Sequence, residues 1–369
     1  MPQQQTTSTQ PVLLLTGATG QIGRLILRTW LRTGNRVVIT LRDPVRQWPT
    51  LRQWLTMQGV SSEGVQCVAT DFSLPDFGWG AQEQCQLKSV TCVVHLAAMW
   101  GWQLSWPEAN EVNVNGSLRL HAWASQRGIA GPFVGVCGFM SQVPGHLDSM
   151  GLRQPEVDWA YAAKKWGAYE ISKVRAYLAF SPSQRKDGDL PVTWIHPATV
   201  IGDASLPDVP DQSAVVGILN SILRGLLRLV PGKPSDIVPW VTGQYVAAYA
   251  VALLLSSDGE MIEHLLLDPN SPSLRTSVNL MSSAMGGPRA VGHVPKWVMS
   301  SMLKLPLVPD LLGTSAESLN FIVSAPPDPA ASVIWGLRHG ITHPDVMQSL
   351  DLTARHWQQK VLAAQVRQT

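Results

Sequence analysis

The amino-acid sequence predicts an α/β fold in which helices cover both faces of a parallel sheet. Residues 12–15 form an apolar run that ends in a glycine-rich turn, Gly17, Gly20 and Gly23. A segment with apolar residues at helical spacing, residues 22–31, follows this turn at once. Farther along, four more short apolar runs are separated by polar or helical stretches. Alternation of this kind is typical of a doubly wound, Rossmann-type sheet.

The spacing of the three glycines predicts a dinucleotide-binding turn. Gly17 permits a tight turn, Gly20 lets the backbone approach a pyrophosphate, and Gly23 lets the helix lie close on the sheet. The helix then directs its N-terminal amides at the phosphates. The same turn is expected to contribute three further cofactor contacts, Thr19, Gln21 and Ile22. A glycine triplet alone is weak evidence, and a plain turn between strand and helix is the alternative.

The end of the second predicted strand, residues 36–41, favours NADP(H) over NAD(H). In an NAD-binding sheet an acidic residue at this strand end binds the ribose hydroxyls. Here the strand ends in Leu41, and Arg42 follows. A guanidinium suits a 2′-phosphate because it offers a fixed charge and a planar fork of donors. Arg46 adds a second charge nearby, Asp43 keeps NAD(H) open, and simple solvation of the loop would also explain Arg42.

Two further strand ends are expected at the cofactor. Residues 65–69 lead to Asp71, whose carboxylate suits the adenine amino group, with Phe72 beside it. A turn or helix-capping role is the alternative for Asp71. Residues 90–96 form a buried strand, in which His95 is expected to pack rather than bind a ligand. Small residues let the backbone pass close to a cofactor at the end of this strand: Leu96, Ala97 and Ala98.

Three tryptophans follow this strand within seven positions, Trp100, Trp102 and Trp106. They leave the sheet at its carboxyl edge, where open α/β sheets bind ligands. The cluster predicts an apolar or aromatic pocket wall, and core packing is the alternative.

Tyr169 and Lys173 are the residues expected to carry the chemistry. They are four positions apart, so a helix would present them on one face. A nearby ammonium stabilises a phenolate, so we expect Lys173 to lower the pKa of Tyr169 and fit it for acid–base catalysis. A second pair with the same spacing, Tyr161 and Lys165, means that the pattern alone does not decide between them.

Composition excludes several functional classes. Only 15% of the 369 residues are charged, 45% are apolar, and the net charge is +2, which gives no case for a nucleic-acid surface. The four cysteines have no metal-ligand spacing, so reduced thiols, no metal and a cytoplasmic location are expected. Residues 1–10 are polar and are expected to form a disordered tail. No apolar run reaches the roughly 18–20 residues that span a bilayer.

Taken together, these residues resemble the extended short-chain dehydrogenase/reductase family, which includes dihydroflavonol reductases, 3β-hydroxysteroid dehydrogenases and sugar-nucleotide epimerases. The resemblance extends from Val12 to Trp357. It depends on motifs in family order at residues 16–23, 71, 95–98, 113–116, 169–173 and 196–202. The last motif is similar to the family's Arg-Pro-x-x-Val-Tyr-Gly, and implies that Pro197 and Val200 meet the nicotinamide end of the cofactor.

The resemblance also selects between the two Tyr–Lys pairs. The family's lysine lies about two dozen residues before the motif's proline, as Lys173 does, whereas Lys165 lies eight residues too far away. Leu41-Arg42-Asp43-Pro44 is similar to the Val-Arg-Asp-Pro of NADPH-dependent reductases. Asn113 matches a family asparagine that acts through backbone geometry and a bound water, and is expected to support the site.

One departure from the family concerns a serine that polarises the substrate oxygen. The family ends its fifth strand in Ser-Ser or Thr-Ser, whereas residues 133–137 here lead into Cys137 and Gly138. Gly138 has no side chain to donate a hydrogen bond. Ser141 is expected to replace it if the loop curls back, and Gly135 and Gly138 leave the strand end free to bend. A substrate group, a water molecule or loss of the chemistry are the alternatives.

Two domains are expected, a dinucleotide-binding domain over residues 11–202 and a smaller C-terminal substrate lobe over residues 203–369. Segments near residues 237–256 are expected to pack back on the main domain. In relatives, the position of Pro239 and Trp240 meets substrate. Residues 294–312 are apolar and contain prolines; a core helix is favoured there, with a lid or a membrane-surface contact as alternatives.

The sequence therefore predicts an NADP(H)-dependent oxidoreductase that interconverts a carbonyl and a secondary alcohol on a small apolar substrate. The alternatives are a sugar-nucleotide epimerase or dehydratase with tightly bound NAD, and a non-catalytic cofactor-sensing protein. The resemblance leaves a homodimer open as the oligomeric state.

Overall fold

A central sheet of seven parallel strands organises the computed structural model, which describes residues 10–101, 104–180, 188–211, 213–256, 261–305 and 316–366. The strands are β1 Val12–Thr16, β2 Arg36–Leu41, β3 Val65–Ala69, β4 Cys92–His95, β5 Phe133–Val136, β6 Val192–Pro197 and, later in the chain, β10 Glu263–Leu266. Their order across the sheet is β10-β6-β5-β4-β1-β2-β3. All six neighbouring pairs are parallel. The predicted doubly wound fold is confirmed.

Helices connect the strands and continue beyond them. Those of the first two hundred residues are α1 Gln21–Leu31, α2 Pro44–Met57, α3 Ala81–Gln86, α4 Trp106–Ala109, α5 Gly116–Gln126, α6 His146–Ser149, α7 Trp159–Trp166 and α8 Ala168–Ala179. A π-helical segment, Asn110–Asn115, joins α4 to α5, and 3-10 helices cover Leu87–Ser89 and Phe139–Gln142. The later helices are α9 Ala214–Leu223, α10 Gly243–Leu255, α11 Leu274–Ala284, α12 Lys296–Met302, α13 Ala330–Arg338 and α14 Val346–Val366, with a 3-10 helix at Ala316–Phe321.

The sheet separates two hydrophobic cores because side chains alternate between its faces. In β1, Leu13 and Leu15 face the core that contains Trp30 and Tyr249, whereas Leu14 faces the core that contains Phe133. Since both faces are covered, the central strands β1, β4 and β5 are buried along their whole length, as expected for a parallel sheet.

The C-terminal part of the chain has a third core, built around Trp240, Leu219, Val278 and Leu350. Two small parallel sheets support it: β7 Thr199–Ile201 pairs with β9 Trp240–Thr242, and β8 Leu229–Pro231 pairs with β11 Gly292–Val294.

Two segments of the C-terminal part return to the main sheet. Helix α10 packs on α1, where a Cβ at Gly243 would lie 2.5 Å from Leu25 Cδ1. Strand β10 then adds a seventh strand beside β6, which the sequence did not predict. The chain therefore crosses between the two parts more than once after residue 202.

The expectation of a core helix at residues 294–312 is met only in part: Leu303 is buried in the third core and Met299 packs against it. Helix α12 contains no buried residue, and Trp297 is 72% exposed. Residues 1–9 of the expected tail, residues 306–312 of this apolar segment and Trp102 lie outside the described residues. Within the described parts of the chain, no helix combines the length and apolarity needed to cross a bilayer.

Candidate active site

The glycine-rich turn between β1 and α1 forms a cradle that side chains would fill. Gly17 has a φ of 70°, and a Cβ there would lie 2.9 Å from the Ala97 amide nitrogen. A Cβ at Gly23 would collide with the Gly17 carbonyl. The N-cap residue Gly20 has no side chain to occupy the first-turn amides, and no acidic residue lies in that turn. The turn therefore fits the pyrophosphate of a dinucleotide.

A buried hydrogen-bond chain holds this turn against the end of β4. Thr16 Oγ1 accepts from the amides of Leu96 and Ala97, both at 3.0 Å, and lies 2.8 Å from His95 Nδ1. His95 Nε2 lies 2.8 Å from Ser117 Oγ, whose proton goes to the Asn113 carbonyl. The hydroxyl of Thr16 therefore donates to Nδ1, and Nε2–H donates to Ser117. Burial lowers the pKa of His95 to about 3, so this histidine is a neutral packed residue, as expected.

A cleft of about 440 Å³ opens from the glycine cradle along the carboxyl edge of the sheet. The structure brings most predicted site residues together in its lining: Gly17, Thr19, Gly20, Gln21, Ile22, Gly23, Leu96, Ala98, Ser141, Tyr169, Lys173, Pro197 and Val200. The lining does not include five others: Arg42, Asp71, Phe72, Ala97 and Asn113.

The residues expected at the adenosine end have distinct partners. Arg42 is exposed, whereas Asp43 caps α2 by accepting from the Arg46 amide at 3.1 Å. The Asp43 carboxylate is thus engaged in the helix cap. Asp71 accepts from the Ser73 amide at 2.9 Å and from its hydroxyl at 2.6 Å, so the turn role is present; these bonds lower the pKa of Asp71.

Two predicted contacts belong instead to the protein interior. The Phe72 side chain is buried against Phe77 and His95, so its ring packs in the core and its contact with the cofactor stays a prediction. Asn113 is buried in the π-helical segment. It accepts from the Met99 amide at 2.7 Å and donates to Ser172 Oγ at 2.9 Å. Asn113 therefore clamps the loop after β4 to α8, the helix that carries the Tyr–Lys pair.

Tyr169 and Lys173 lie on one face of α8 and both line the cleft. Burial raises the pKa of the Tyr169 phenol above its ordinary value, with smaller contributions from Cys137 and Glu170, and burial lowers the pKa of Lys173. The pKa of the phenol therefore shifts upward, opposite to the expected lowering, and the role of Lys173 at the phenol stays a prediction. The phenol is protonated at neutral pH. Trp100 stands against it, with ring centroids 6.3 Å apart.

The second Tyr–Lys pair lies on the surface of α7. Tyr161 is 62% exposed, and the Lys165 ammonium lies over the Trp166 ring at 4.8 Å from its centroid. Neither residue lines the cleft. Of the two Tyr–Lys pairs with the same spacing, the structure therefore places only Tyr169 and Lys173 at the cleft.

The loop after β5 does curl back, and it brings Ser141 to the cleft. Ser141 lies in the 3-10 helix Phe139–Gln142, and its hydroxyl lies 2.8 Å from the Gly138 carbonyl. Gly138 has extended backbone, and a Cβ there would meet no atom within 4 Å. Gly135 lies within β5 and is paired with both neighbouring strands, so it does not form a free hinge as expected, and a Cβ there would lie 2.7 Å from the Trp194 ring.

A second cavity of about 390 Å³, here called the chamber, adjoins the cleft in the C-terminal part. The two cavities share lining residues at a neck: Trp100, Thr199, Ser213, Ala214 and Phe321. Apolar side chains from five elements dominate the chamber: Val216, Ile218, Leu227, Val230, Val278, Met299, Leu303, Leu319 and Ile322. No lysine or arginine lines it among the described residues, and its acidic residue, Asp211, pairs with Lys360 at 2.6 Å.

The tryptophans differ in whether they line a cavity or pack in the interior. Trp100 is a pocket wall shared by both cavities, whereas Trp106 packs beneath the Arg175 guanidinium. Trp240 is fully buried and donates to Ser277 Oγ at 3.0 Å, so the expectation that it meets substrate is wrong. Sequence reasoning missed Glu170, Thr199 and Phe321 in the cleft. Thr199 lies two residues after the predicted site residue Pro197, so its position at the cleft could have been predicted. Nothing in the sequence around Phe321 indicates a site residue.

Comparison with known sequences agrees with this geometry. Residues 15–250 match the NAD-binding family described as Male sterility protein. A hybrid PKS-NRPS synthetase of Talaromyces variabilis is 28% identical over 219 residues. The matched region covers 57% of this chain but 5% of the synthetase, so this chain corresponds to a small part of that protein.

Solved structures share the fold. The terminal R domain from the myxalamid PKS-NRPS pathway superposes with a TM-score of 0.71 at 20% identity, covering 95% of this chain and 91% of that one. A thiolation-reductase di-domain from an archaeal non-ribosomal peptide synthetase gives 0.70 at 16% identity, covering 96% and 76%. UDP-glucuronic acid 4-epimerase from Bacillus cereus, in complex with UDP-glucuronic acid and NAD, gives 0.62 at 13% identity, covering 95% and 99%. The chain belongs to the NAD-binding Male sterility family, within the extended short-chain dehydrogenase/reductases.

Proposed function

We propose that this protein is an NADP(H)-dependent oxidoreductase that interconverts a carbonyl and a secondary alcohol on an apolar substrate. One observation carries the proposal: Tyr169 and Lys173 line the cleft, and Tyr169 lies against Trp100, which lines both the cleft and the chamber. A substrate that spans the neck would place its polar carbon beside the phenol and its apolar part in the chamber. One similar solved structure is named as containing a reductase, which supports reduction of the carbonyl as the direction of the reaction.

The glycine cradle would hold the pyrophosphate, and residues at the ends of β4 and β6 would face the nicotinamide. When bound, the cofactor supplies or accepts a hydride. The Tyr169 hydroxyl gives its proton to the substrate oxygen during reduction and takes it back during oxidation. Because burial keeps the phenol protonated, it is ready as the acid. Lys173 supplies positive charge beside the phenolate that remains, and a donor for the cofactor ribose.

Preference for NADP(H) is supported by the arrangement after β2. Arg42 is exposed at the strand end, and Asp43 is occupied as the N-cap of α2. An engaged carboxylate is poorly placed to bind ribose hydroxyls, whereas a guanidinium suits a 2′-phosphate. NAD(H) remains the alternative cofactor.

The apolar chamber favours this function over a sugar-nucleotide epimerase or dehydratase. A diphosphate-sugar needs basic and polar contacts, and the described lining of the chamber contains neither lysine nor arginine. The epimerase alternative is supported by the fold likeness to UDP-glucuronic acid 4-epimerase. A cofactor-sensing protein without catalysis is supported by Gly138, which cannot donate a hydrogen bond.

Cofactor turnover tests the proposal. The purified chain is mixed with NADPH and straight-chain methyl ketones, and NADPH loss and alcohol formation are followed together. We expect equal amounts of both. Retained, copurified NAD with interconversion of UDP-sugars would support the epimerase instead, and cofactor binding with no turnover of either substrate class would support the sensor.

A further inference from the structure

We propose that His196 is a positioning residue that fixes the Ser141 hydroxyl as a second hydrogen-bond donor to the substrate oxygen. The proposal rests on the proposed function for its substrate. It also depends on a side-chain network that runs from β10 to β6 and the loop after β5, part-exposed at Glu263 and buried at His196 and Ser141. The network joins Glu263, Tyr177, Gln142, His196 and Ser141.

The Glu263 carboxylate fixes the outer end of this network. Its Oε1 accepts from the Tyr177 hydroxyl at 2.7 Å, and its Oε2 lies 2.8 Å from Gln142 Nε2. A carboxylate has only acceptor atoms, so the nitrogen of the Gln142 amide must face it. The same nitrogen lies 3.2 Å from His196 Nε2. An amide nitrogen is a donor, so His196 Nε2 must accept.

The histidine tautomer follows from these contacts. Burial lowers the pKa of His196 to about 3, so the ring is neutral and carries one proton. Since Nε2 accepts, that proton is on Nδ1, which lies 2.8 Å from Ser141 Oγ. Ser141 in turn lies 2.8 Å from the Gly138 carbonyl, a pure acceptor. The chain of donation therefore runs from Gln142 to the ring nitrogen on one side, and from Nδ1–H to Ser141 and on to Gly138 on the other.

This direction of donation determines what Ser141 can do. The serine oxygen is occupied by the histidine proton, so its own hydrogen is the group left to reach an acceptor. The Gly138 carbonyl also receives the Ser141 amide at 3.2 Å, so it keeps a donor when the hydroxyl turns to the substrate. Donation from His196 polarises the serine O–H in the same sense. The ring is fully buried and touches neither cavity, so it acts through Ser141.

Two substitutions of similar polarity separate this role from a packing role. In His196→Asn the amide nitrogen can replace Nδ1 and still donate to Ser141. In His196→Gln the amide sits at the position of Nε2, and the bond to Ser141 is lost. We expect His196→Asn to keep kcat within about threefold, and His196→Gln to lower it about tenfold with KM for NADPH unchanged.

A double-substitution cycle adds a second readout. Ser141→Ala should lower kcat by about 10²–10³, the usual loss for one donor to a developing oxyanion. Adding His196→Gln should then cost nothing more, because the two residues act as one unit. His264→Asn, at an equally buried histidine on β10, is the control for packing and should leave kcat unchanged. Equal effects of Asn and Gln at position 196, or additive losses in the double variant, would overturn the proposal.

Nitrogen NMR of the full chain tests the tautomer without catalysis. We expect His196 as the Nδ1–H tautomer and His95, whose partners fix the opposite arrangement, as the Nε2–H tautomer. The loss of one signal in His196→Asn assigns the resonance. An Nε2–H or doubly protonated His196 at neutral pH would overturn the proposal. If the wild-type chain reduced no carbonyl compound, the proposed function would fail, and the tautomer would still decide whether His196 holds Ser141.

Discussion

The cleft and the chamber meet at Trp100 and Phe321, yet they are built in different ways. The cleft is shaped by backbone: a Cβ at Gly17 or Gly23 would strike main-chain atoms, and a chain of buried hydroxyls and His95 fixes the turn. The chamber is shaped by apolar side chains from α9, α11, α12, β8 and the 3-10 helix Ala316–Phe321. The backbone of the cleft fixes one binding geometry for the cofactor. The side chains that line the chamber can change rotamer and so fit apolar groups of different shape.

The largest expected effect is at the point where the two regions meet. Tyr169→Phe removes the proton donor from the cleft without changing its lining shape. We expect cofactor affinity to be kept and kcat to fall by about 10²–10⁴, the range for positioned proton transfer. Stopped-flow binding and steady-state rates measure the two quantities.

Tyr161→Phe is the matched control, because Tyr161 has the same spacing to a lysine but is 62% exposed. It should be nearly silent. If Tyr161→Phe lost turnover and Tyr169→Phe did not, the assignment of the pair would be wrong.

The next effect concerns the adenosine end of the cleft. Arg42→Ala should weaken NADPH by roughly 10- to 100-fold, since a charge-assisted hydrogen bond is worth about 1.5–3 kcal/mol, and should leave NADH nearly unchanged. Fluorescence titration with both cofactors gives the ratio. Arg46→Ala serves for comparison: its side chain is 88% exposed and pairs with Asp43 at 3.4 Å, so its effect should be smaller. Equal weakening of both cofactors by Arg42→Ala would instead favour NAD(H).

If the chamber binds the apolar part of the substrate, kcat/KM should depend on the chain length of the ketone. Each methylene that enters an apolar cavity gains about 0.8 kcal/mol, so kcat/KM should rise about fourfold per added carbon until the chamber is full. Ala214→Leu narrows the neck, and should reduce kcat/KM about tenfold for the longest ketones while sparing the shortest. Ala364→Leu, at an exposed alanine on α14, is the control. A loss of equal size for every chain length would show that the substrate does not pass the neck.

The smallest effect is expected from restoring the family serine. Gly138→Ser fits without strain because the backbone is extended and no atom lies within 4 Å of the added Cβ. In the wild-type background we expect less than about a threefold change in kcat, since Ser141 already supplies the donor. In the Ser141→Ala background the same substitution should recover most of the lost rate. Strong activation in the wild type would mean that Ser141 does not act.

The contrast between the two regions also explains what could be predicted from sequence. Strands β2 and β3 begin and end at the predicted residues, and the glycine spacing shows in the sequence where the backbone must turn tightly. These signals are local. By contrast, β10 has only four residues, and its neighbouring sequence does not predict that it pairs with β6. Phe321 lines the neck although it lies far along the chain from the other neck residues.

Four departures from expectation have one physical cause: only the assembled fold determines which side chains are buried. Trp240 and Phe72 are at strand or loop ends that could face a ligand, but both rings pack in cores. Helix α12 has core-like apolar spacing but no buried residue. For Tyr169, proximity of Lys173 was visible in the sequence, whereas the desolvation that outweighs it was not.

The central claim is that hydride passes between NADP(H) and an apolar substrate that lies between the cleft and the chamber. The most direct measurement uses NADPH with deuterium in place of both hydrogens at the nicotinamide C4 position, with a medium-chain methyl ketone, and analyses the alcohol by chiral chromatography and mass spectrometry. We predict one deuterium on the carbinol carbon and a single alcohol enantiomer, and we expect Tyr169→Phe to form this product about 10²–10⁴ times more slowly. Unlabelled alcohol, or no alcohol while bound cofactor remains unchanged, would contradict the account.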